Sequence, residues 1–314
     1  MTKIKCVFFA LLILISSVFF TACEEKGKED TYSRIENFEP HTFKYSEGLT
    51  AYGYYNIGNC KKLTGDVYTL VIFLDDDVSS WDEASRTDFY QKRFFPSVNY
   101  INEQADLRGV DLNLESGQYT TKSDLSSPPR YKGVIETDVS KVANNLDIFN
   151  QVAQTLGFSN KKILHAYLQN YTDCEQIAYV IVLNKWGRAY AVSDTTYDEV
   201  DSVEFVVAFS SNDSGKDDIG SSVMHEMLHL FGATDFYDPK GDYPERKKLC
   251  EKLYPNDIMM RSATDPNDLS IGRLTECLIG WSDYFPPECD CPEWWETDKV
   301  VNHRPPAESK TDSE

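Results

Sequence analysis

The chain has 314 residues, of which 41% are hydrophobic and 13% aromatic, so it is long and apolar enough to bury a full core. This composition excludes an intrinsically disordered protein. The net charge is -20, and no basic cluster is long enough to follow a phosphate backbone, which argues against a nucleic-acid partner.

The N-terminus has the pattern of a secretion signal. Lys3 and Lys5 precede an apolar run from Val7 to Phe20, and small residues stand before Cys23. The sequence FTAC resembles the lipobox of bacterial lipoproteins, in which the cysteine becomes the lipidated first residue, although Phe20 stands where leucine is usual. This resemblance implies export and a lipid anchor through Cys23 at the bacterial outer membrane or cell surface. An uncleaved membrane anchor is the alternative, but the run is short for one.

The first half of the chain alternates between strand and helix patterns. A buried strand is predicted from Tyr68 to Leu74, and the aspartates 75 to 77 that follow it either bind calcium or cap the next element. Residues 79–108 have a helical pattern with a kink or break at Pro96. A strand over 110–114, a serine- and proline-rich loop over 116–130 and a helix over 139–156 follow.

The second half contains three predicted strands before its main helix. Residues 177–183 and 203–209 are apolar runs that are short enough for central strands, and residues 189–194 form a shorter candidate for the sheet edge. The main helix is predicted over 214–231, with Asp217 and Asp218 near its positive end. Residues 238–255 have no regular pattern, and a final helix is predicted over 269–281.

The main helix carries the sequence HEMLHLFGATD, from His225 to Asp235. Residues four apart share one face of a helix, so His225 and His229 can both bind one metal ion. Two imidazoles, a further protein ligand and a water are the ligands of a catalytic zinc site. Glu226 is the candidate general base for that water, and Gly232 allows the turn that returns Asp235 to the metal. Solvated or packed histidines on an ordinary amphipathic helix are the alternative.

The pattern HExxHxxGxxD resembles the metzincin metallopeptidases, with aspartate where most members have a third histidine. Snapalysin and the immune inhibitor A peptidases are similar in having this aspartate. The continuation DFYDP resembles the latter group and leaves Asp238 as a rival to Asp235 for the third ligand position. The resemblance implies an α/β domain with a twisted, mixed five-stranded sheet, whose edge strand binds the peptide substrate antiparallel, and a small C-terminal subdomain.

The sequence PNDIMMRS, residues 255–262, resembles the methionine turn of the metzincins. The resemblance assigns the turn methionine to Met259, with Met260 as the alternative, and two ordinary core methionines are the simpler interpretation. Many relatives have a tyrosine after this methionine that stabilises the oxyanion. Here Met260 and Arg261 follow instead, so the oxyanion partner is unassigned, with Tyr237 as one guess.

The cysteines and the remaining histidines give weaker indications. Six of the eight cysteines lie beyond the leader and the lipidation position, and export favours disulfides or free thiols over a zinc site at Cys289 and Cys291. Candidate pairings are Cys250 with Cys277, which flank the methionine turn, and Cys60 with Cys174. The histidines with no ligand-like neighbours are interpreted as structural or solvated: His41, His165 and His303.

The sequence therefore predicts a signal peptide over 1–22, a tether and extension over 23–60, a metallopeptidase domain over 61–285 and a polar tail over 286–314. The expected function is zinc-dependent hydrolysis of peptide bonds in proteins or peptides outside the cytoplasm, by a monomer. The alternative is a surface lipoprotein of the same fold that binds a partner without catalysis, because a fold does not fix a function.

Overall fold

The computed structural model describes residues 58–118, 128–137, 148–192, 203–212, 218–283 and 285–289. The predictions for the signal peptide, Cys23, His41, His303, Cys291 and most of the polar tail lie outside these ranges. No helix within them is long and apolar enough to cross a membrane.

The fold is α/β, as predicted, with a mixed sheet of five strands. The strands are β1 (Gly65–Leu74), β2 (Leu112–Gln118), β3 (Gln176–Trp186), β4 (Tyr190–Val192) and β5 (Phe205–Ser211). They lie in the order β2-β1-β3-β5-β4, with four parallel strands and β4 antiparallel to β5 at the edge. The prediction that residues 189–194 form an edge strand is confirmed for the part that the structure describes.

The helices in chain order are α1 (Glu83–Phe89), α2 (Phe95–Asp106), α3 (Ile148–Thr155), α4 (Lys161–Thr172), α5 (Ile219–Leu230), α6 (Pro244–Leu253) and α7 (Arg273–Leu278). A π-helical turn, Tyr90–Phe94, joins α1 to α2, and short 3-10 turns cover Pro266–Asp268 and Pro287–Cys289. The π-helical turn ends two residues before Pro96, where a proline cannot donate the next helical hydrogen bond. Pro96 lies in the first turn of α2 and does not break it, and the irregularity within the predicted helix is the π-helical turn just before it.

Both faces of the sheet are covered, which explains why its central strands are almost continuously apolar. On one face, residues such as Val71, Val180 and Val206 join a single core with side chains of α2 and α5. On the other face, Phe149 of α3 packs against Tyr179 of β3, with 4.6 Å between the centres of the two rings. The main helix α5 thus lies directly on the sheet and is fixed along its length. Its predicted apolar stripe is buried: Ile219, Val223, Met227 and Leu230.

Two helices contradict or extend the sequence prediction. Residues 238–255 were expected to be irregular, but α6 occupies 244–253, beginning at Pro244, which needs no hydrogen-bond donor in the first turn. Only Arg246 and Cys250 of this helix are buried, so it shows almost no apolar period. Helix α4 was not predicted, although Asn160 caps it by accepting a hydrogen bond from the Ile163 N–H.

The two candidate disulfides are also wrong, because Cys60, Cys174 and Cys277 are buried thiols. Burial raises the pKa of the Cys277 thiol to about 12, which keeps it protonated and poorly reactive. The aspartates after β1 have structural partners rather than an arrangement that requires calcium. Asp76 pairs with Lys185 and accepts hydrogen bonds from the Ser79 and Ile135 N–H groups.

Candidate metal centre

The described residues include one group of metal-ligating side chains, formed by His225, Glu226 and His229 of α5. One potential ligand atom from each lies within 4.8 Å of the others. His225 is buried, and the other two are partly buried. The structure therefore brings together the three residues of the HExxH sequence in an arrangement that can bind a metal ion.

Backbone carbonyls orient both imidazoles. His225 Nδ1 lies 2.8 Å from the carbonyl oxygen of Ile258, and His229 Nδ1 lies 2.8 Å from that of Ala233. A carbonyl oxygen only accepts hydrogen bonds, so Nδ1 is the protonated nitrogen of each ring. The Nε2 atoms are left for a ligand, which is the usual arrangement of a metal-binding histidine and its supporting hydrogen bond.

Asp235 lies between the two Nε2 atoms. Gly232 ends the helix with φ +99°, and the turn places Asp235 Oδ1 2.9 Å from His225 Nε2 and 3.3 Å from His229 Nε2. Burial favours the protonated acid, but the hydrogen bonds from both histidines outweigh burial and hold the pKa of Asp235 far below its usual range. Burial lowers the pKa of His229, whereas Asp235 and Glu226 together raise it to about 9.

This arrangement fits a metal ion. Each imidazole already donates from Nδ1, so it needs a second proton to donate to Asp235 from Nε2 as well. Both Nε2 atoms are thus aimed at one carboxylate oxygen, each through a position that a proton or a metal ion can occupy. A divalent cation at the same place would replace those protons and accept two nitrogen ligands and one oxygen ligand.

Asp238, the rival to Asp235, points elsewhere. Its two carboxylate oxygens accept hydrogen bonds from the Asp242 and Tyr243 N–H groups at 3.0 and 2.9 Å. It also has a positive φ of 50°. Asp238 therefore stabilises the turn before α6, and Asp235 is the carboxylate in contact with the imidazoles.

Glu226 lies beside the pair, with Oε2 3.9 Å from His229 Nε2. Burial raises the pKa of Glu226 above its ordinary value, while His225 and His229 lower it and Asp235 raises it further. The Ala191 N–H of the edge strand β4 also lowers the pKa of this carboxylate. Glu226 is thus held between the imidazoles and the sheet edge, with a proton affinity above that of a solvated carboxylate.

The predicted methionine turn supports the site through its backbone. The Ile258 carbonyl accepts from His225, and the Met259 carbonyl accepts from the Phe236 N–H at 2.9 Å. Met259 is fully buried, and Met260 is partly buried. Buried Asp257 fixes the turn by accepting hydrogen bonds from the Met259 N–H, the Gly272 N–H and the Thr275 hydroxyl.

A cleft of about 230 Å³ opens beside the site. One part of its lining consists of His225, Glu226, Tyr237 and Arg188. Another part contains Asp218, which accepts hydrogen bonds from Asn212 and Ser262. Arg188 was not identified from the sequence, because it lies 38 residues before Glu226 and belongs to no motif.

His165 lies away from this centre. It is buried in α4, and its Nδ1 is 2.8 Å from the hydroxyl of Tyr179 on β3. Its interpretation as a structural histidine is therefore confirmed.

No protein-family model matches the chain, and no curated protein matches its sequence significantly.

Proposed function

We propose that the protein is a zinc-dependent peptidase of the metzincin type. The observation that carries the proposal is the convergence of both Nε2 atoms on Asp235, with Glu226 beside them and a cleft open to the same side chains. Two nitrogen ligands and one oxygen ligand suit zinc and leave a coordination position for water. The HExxHxxGxxD spacing and the edge strand next to the site agree with the metzincin resemblance.

His225, His229 and Asp235 would hold the ion. When bound, zinc lowers the pKa of a coordinated water and polarises a peptide carbonyl. Glu226 takes the proton of the attacking water and then passes it to the nitrogen of the leaving amine. Its raised pKa suits this role, because a base with a pKa nearer to neutrality also serves as a good acid.

The edge strand β4 provides a place for an extended substrate. Within the described residues it pairs on one side only, with β5, and Ala191 and Val192 are partly exposed. A peptide that adds to this edge would lie beside Glu226, since β4 contacts helix α5 and Ala191 is close enough to act on the pKa of that carboxylate. We propose peptides or unfolded segments of proteins as the substrate class, and export as a lipoprotein anchored through Cys23.

The test compares wild-type protein with three variants for zinc content and for cleavage of a mixed peptide library. His229→Ala should lose both zinc and cleavage. Glu226→Gln should keep one zinc while its cleavage rate falls by about 10²–10⁴-fold, the usual contribution of a general base. Glu251→Gln, an exposed glutamate of α6, is the matched control and should behave as wild type.

Each outcome separates the functions. Cleavage by Glu226→Gln at the wild-type rate would contradict the mechanism. Zinc without cleavage in the wild type would favour the alternative, a binding protein with a structural metal. Absence of zinc from the wild type would overturn the proposal.

A further inference from the structure

Arg188 is a cation of the cleft that the mechanism above does not use. It lies in the connection between β3 and β4, where the Gly187 N–H bonds to the Ser211 carbonyl at 3.0 Å and so fixes the backbone to β5. Its side chain shares the cleft lining with His225 and Glu226. The sheet therefore presents a permanent positive charge at the candidate site.

Tyr237 holds the guanidinium. Arg188 Nη2 donates to the Tyr237 hydroxyl at 2.9 Å, and Cζ of the guanidinium lies 6.0 Å from the centre of the tyrosine ring. The centre of the same ring lies 6.0 Å from the centre of the His225 imidazole. In the described parts of the chain only one guanidinium N–H of Arg188 has an acceptor, so the others are available to a ligand in the cleft.

Tyr237 and two carboxylates of the site act on Arg188. Burial lowers the pKa of Arg188, but Tyr237, Glu226 and Asp235 outweigh burial and raise it. The guanidinium is therefore within electrostatic reach of the general base and of the carboxylate ligand. A group in this position would also act on negative charge that develops on a substrate bound beside Glu226.

Peptide hydrolysis develops negative charge on which such a group can act. When the water oxygen bonds to the carbonyl carbon, its proton moves to Glu226 and the π electron pair of C=O moves onto the oxygen. When the C–N bond breaks, that pair re-forms the carbonyl, and Glu226 gives the proton to the amine nitrogen. Donors aimed at the developing oxyanion contribute about 10²–10³-fold each to the rate. In this chain Met260 and Arg261 follow Met259. The Met260 side chain has no hydrogen to donate, and Arg261 Nη1 donates to Asn256 Oδ1 at 3.1 Å within the turn itself.

We propose that Arg188 is a catalytic residue that donates a hydrogen bond to the substrate's carbonyl oxygen as its negative charge develops, and that Tyr237 is the positioning residue that aims it. This inference rests on the proposed function. It assigns the oxyanion donor to the β3–β4 connection rather than to the methionine turn.

The experiment uses the zinc-loaded protein and the peptide that the library identifies as its best substrate. Arg188→Ala should lower kcat by about 10²-fold with little change in KM, because the interaction forms in the transition state. Arg188→Lys should recover part of the loss. Tyr237→Phe should lower kcat by about 10-fold, since the guanidinium remains but loses its fixed direction. Arg130→Ala, which removes an exposed arginine that does not line the cleft, is the matched control.

Two readouts do not depend on turnover. The zinc dissociation constant, measured by chelator competition, should be the same in wild type and Arg188→Ala. In a Glu226→Gln background, the phosphinic analogue of the same peptide should bind about 10²-fold more weakly after Arg188→Ala, because its charged oxygen mimics the transition state.

Unchanged kcat in Arg188→Ala, with an active wild type, would overturn this inference and leave the proposed function intact. A weaker zinc affinity whose kinetic effect disappears at saturating zinc would show that Arg188 only orients the metal ligands, which also overturns it. A wild type without zinc and cleavage would overturn the proposed function, and this inference would fall with it.

Discussion

Single residues of the candidate site were predictable from sequence wherever a short spacing fixed their geometry. The HExxH residues lie within about one and a half turns of one helix: His225, Glu226 and His229. Asp235 follows Gly232, whose positive φ permits the chain to turn back towards the imidazoles. Their supporting contacts were not predictable. The carbonyls of Ile258 and Ala233, the Ala191 N–H and the Arg188 guanidinium come from other segments or from the backbone, which carries no residue-specific signal.

His165 gives a prediction at the same scale, on the pH dependence of stability. Burial lowers the pKa of His165 to about 4, and its Nε2 has no hydrogen-bond partner among the described residues. The unfolded chain binds the proton near pH 6.5, whereas the folded protein resists it until about pH 4. Stability from this residue is therefore present above pH 6.5 and is lost as the pH falls towards 4, by about 3 kcal/mol in total.

The measurement is urea denaturation at pH 7 and pH 4.5. The double variant His165→Phe/Tyr179→Phe removes both hydrogen-bonding partners together, so neither polar atom remains buried alone. From pH 7 to pH 4.5, the unfolding free energy of the wild type should fall by about 2–3 kcal/mol more than that of the double variant. Parallel pH profiles for the two proteins would contradict the assignment.

At the scale of elements, the position of helix α5 depends on its close contact with the π-helical turn and with helix α2. A Cβ added at Gly220 would lie 2.5 Å from the Arg93 carbonyl oxygen and 2.8 Å from Ser97 Oγ. Alanine favours a helix by about 1 kcal/mol over glycine, but overpacking against backbone costs about 1–3 kcal/mol. The close contact should dominate, because a carbonyl oxygen cannot move away as a flexible side chain can.

We therefore expect Gly220→Ala to lower the free energy of unfolding by about 1–2 kcal/mol, and Gly220→Val to lower it further. Chemical denaturation of both variants checks the order. Glu103→Ala, on the exposed side of α2, is the control and should change stability by less than about 0.5 kcal/mol. An increase in stability in Gly220→Ala would mean that helix propensity controls this position.

The two helices that the sequence analysis did not identify were missed for different reasons. Helix α6 exposes most of its surface, so its apolar period is weak, and only Pro244 and the acidic residue after it mark its start. Helix α4 buries Leu164 and Leu168 at helical spacing and has a capping Asn160, so its pattern was present but was masked by the strand-rich context. The central strands were predictable because their burial on both faces leaves a continuous apolar run.

At the scale of the whole molecule, the strand order brings residues from distant segments to one site. Placing β4 at the edge next to β5 brings Ala191 to Glu226, which the individual strand patterns do not specify. The resemblance to metzincins supplied that edge strand in advance. Side-chain packing determines the other features of the fold, which include the two covered faces of the sheet and the way α5 crosses it.

The proposed anchoring concerns the intact protein. Cys23→Ser should move the protein from the membrane fraction to the soluble exported fraction, because a lipid chain attached at this residue would be the anchor. Cys174→Ser, which removes a thiol of the folded domain, is the matched control and should leave the fractionation unchanged. Membrane retention of Cys23→Ser would contradict the lipoprotein assignment. Protease shaving of intact cells then distinguishes surface exposure, where the wild type is digested, from a protected location.

Metal binding should also stabilise the whole domain, since only the folded chain brings the three ligands together. Zinc at 1,000 times its dissociation constant would add about 4 kcal/mol to the free energy of unfolding. For a domain of this size that corresponds to a rise in Tm of about 8–16 °C, reversed by a chelator. His229→Ala should show no such rise.

Glu226 lies close enough to the imidazoles to be a metal ligand itself. The thermal measurement on Glu226→Gln therefore distinguishes whether Glu226 is the base or a ligand. If Asp235 is the third ligand and Glu226 the base, this variant keeps all three ligands and should show the full zinc-dependent rise in Tm. Asp235→Asn should show a much smaller one, since it loses the charged oxygen between the two Nε2 atoms. The reverse pattern would make Glu226 the ligand, leave the site without a base, and contradict the proposed hydrolysis even if zinc binds tightly.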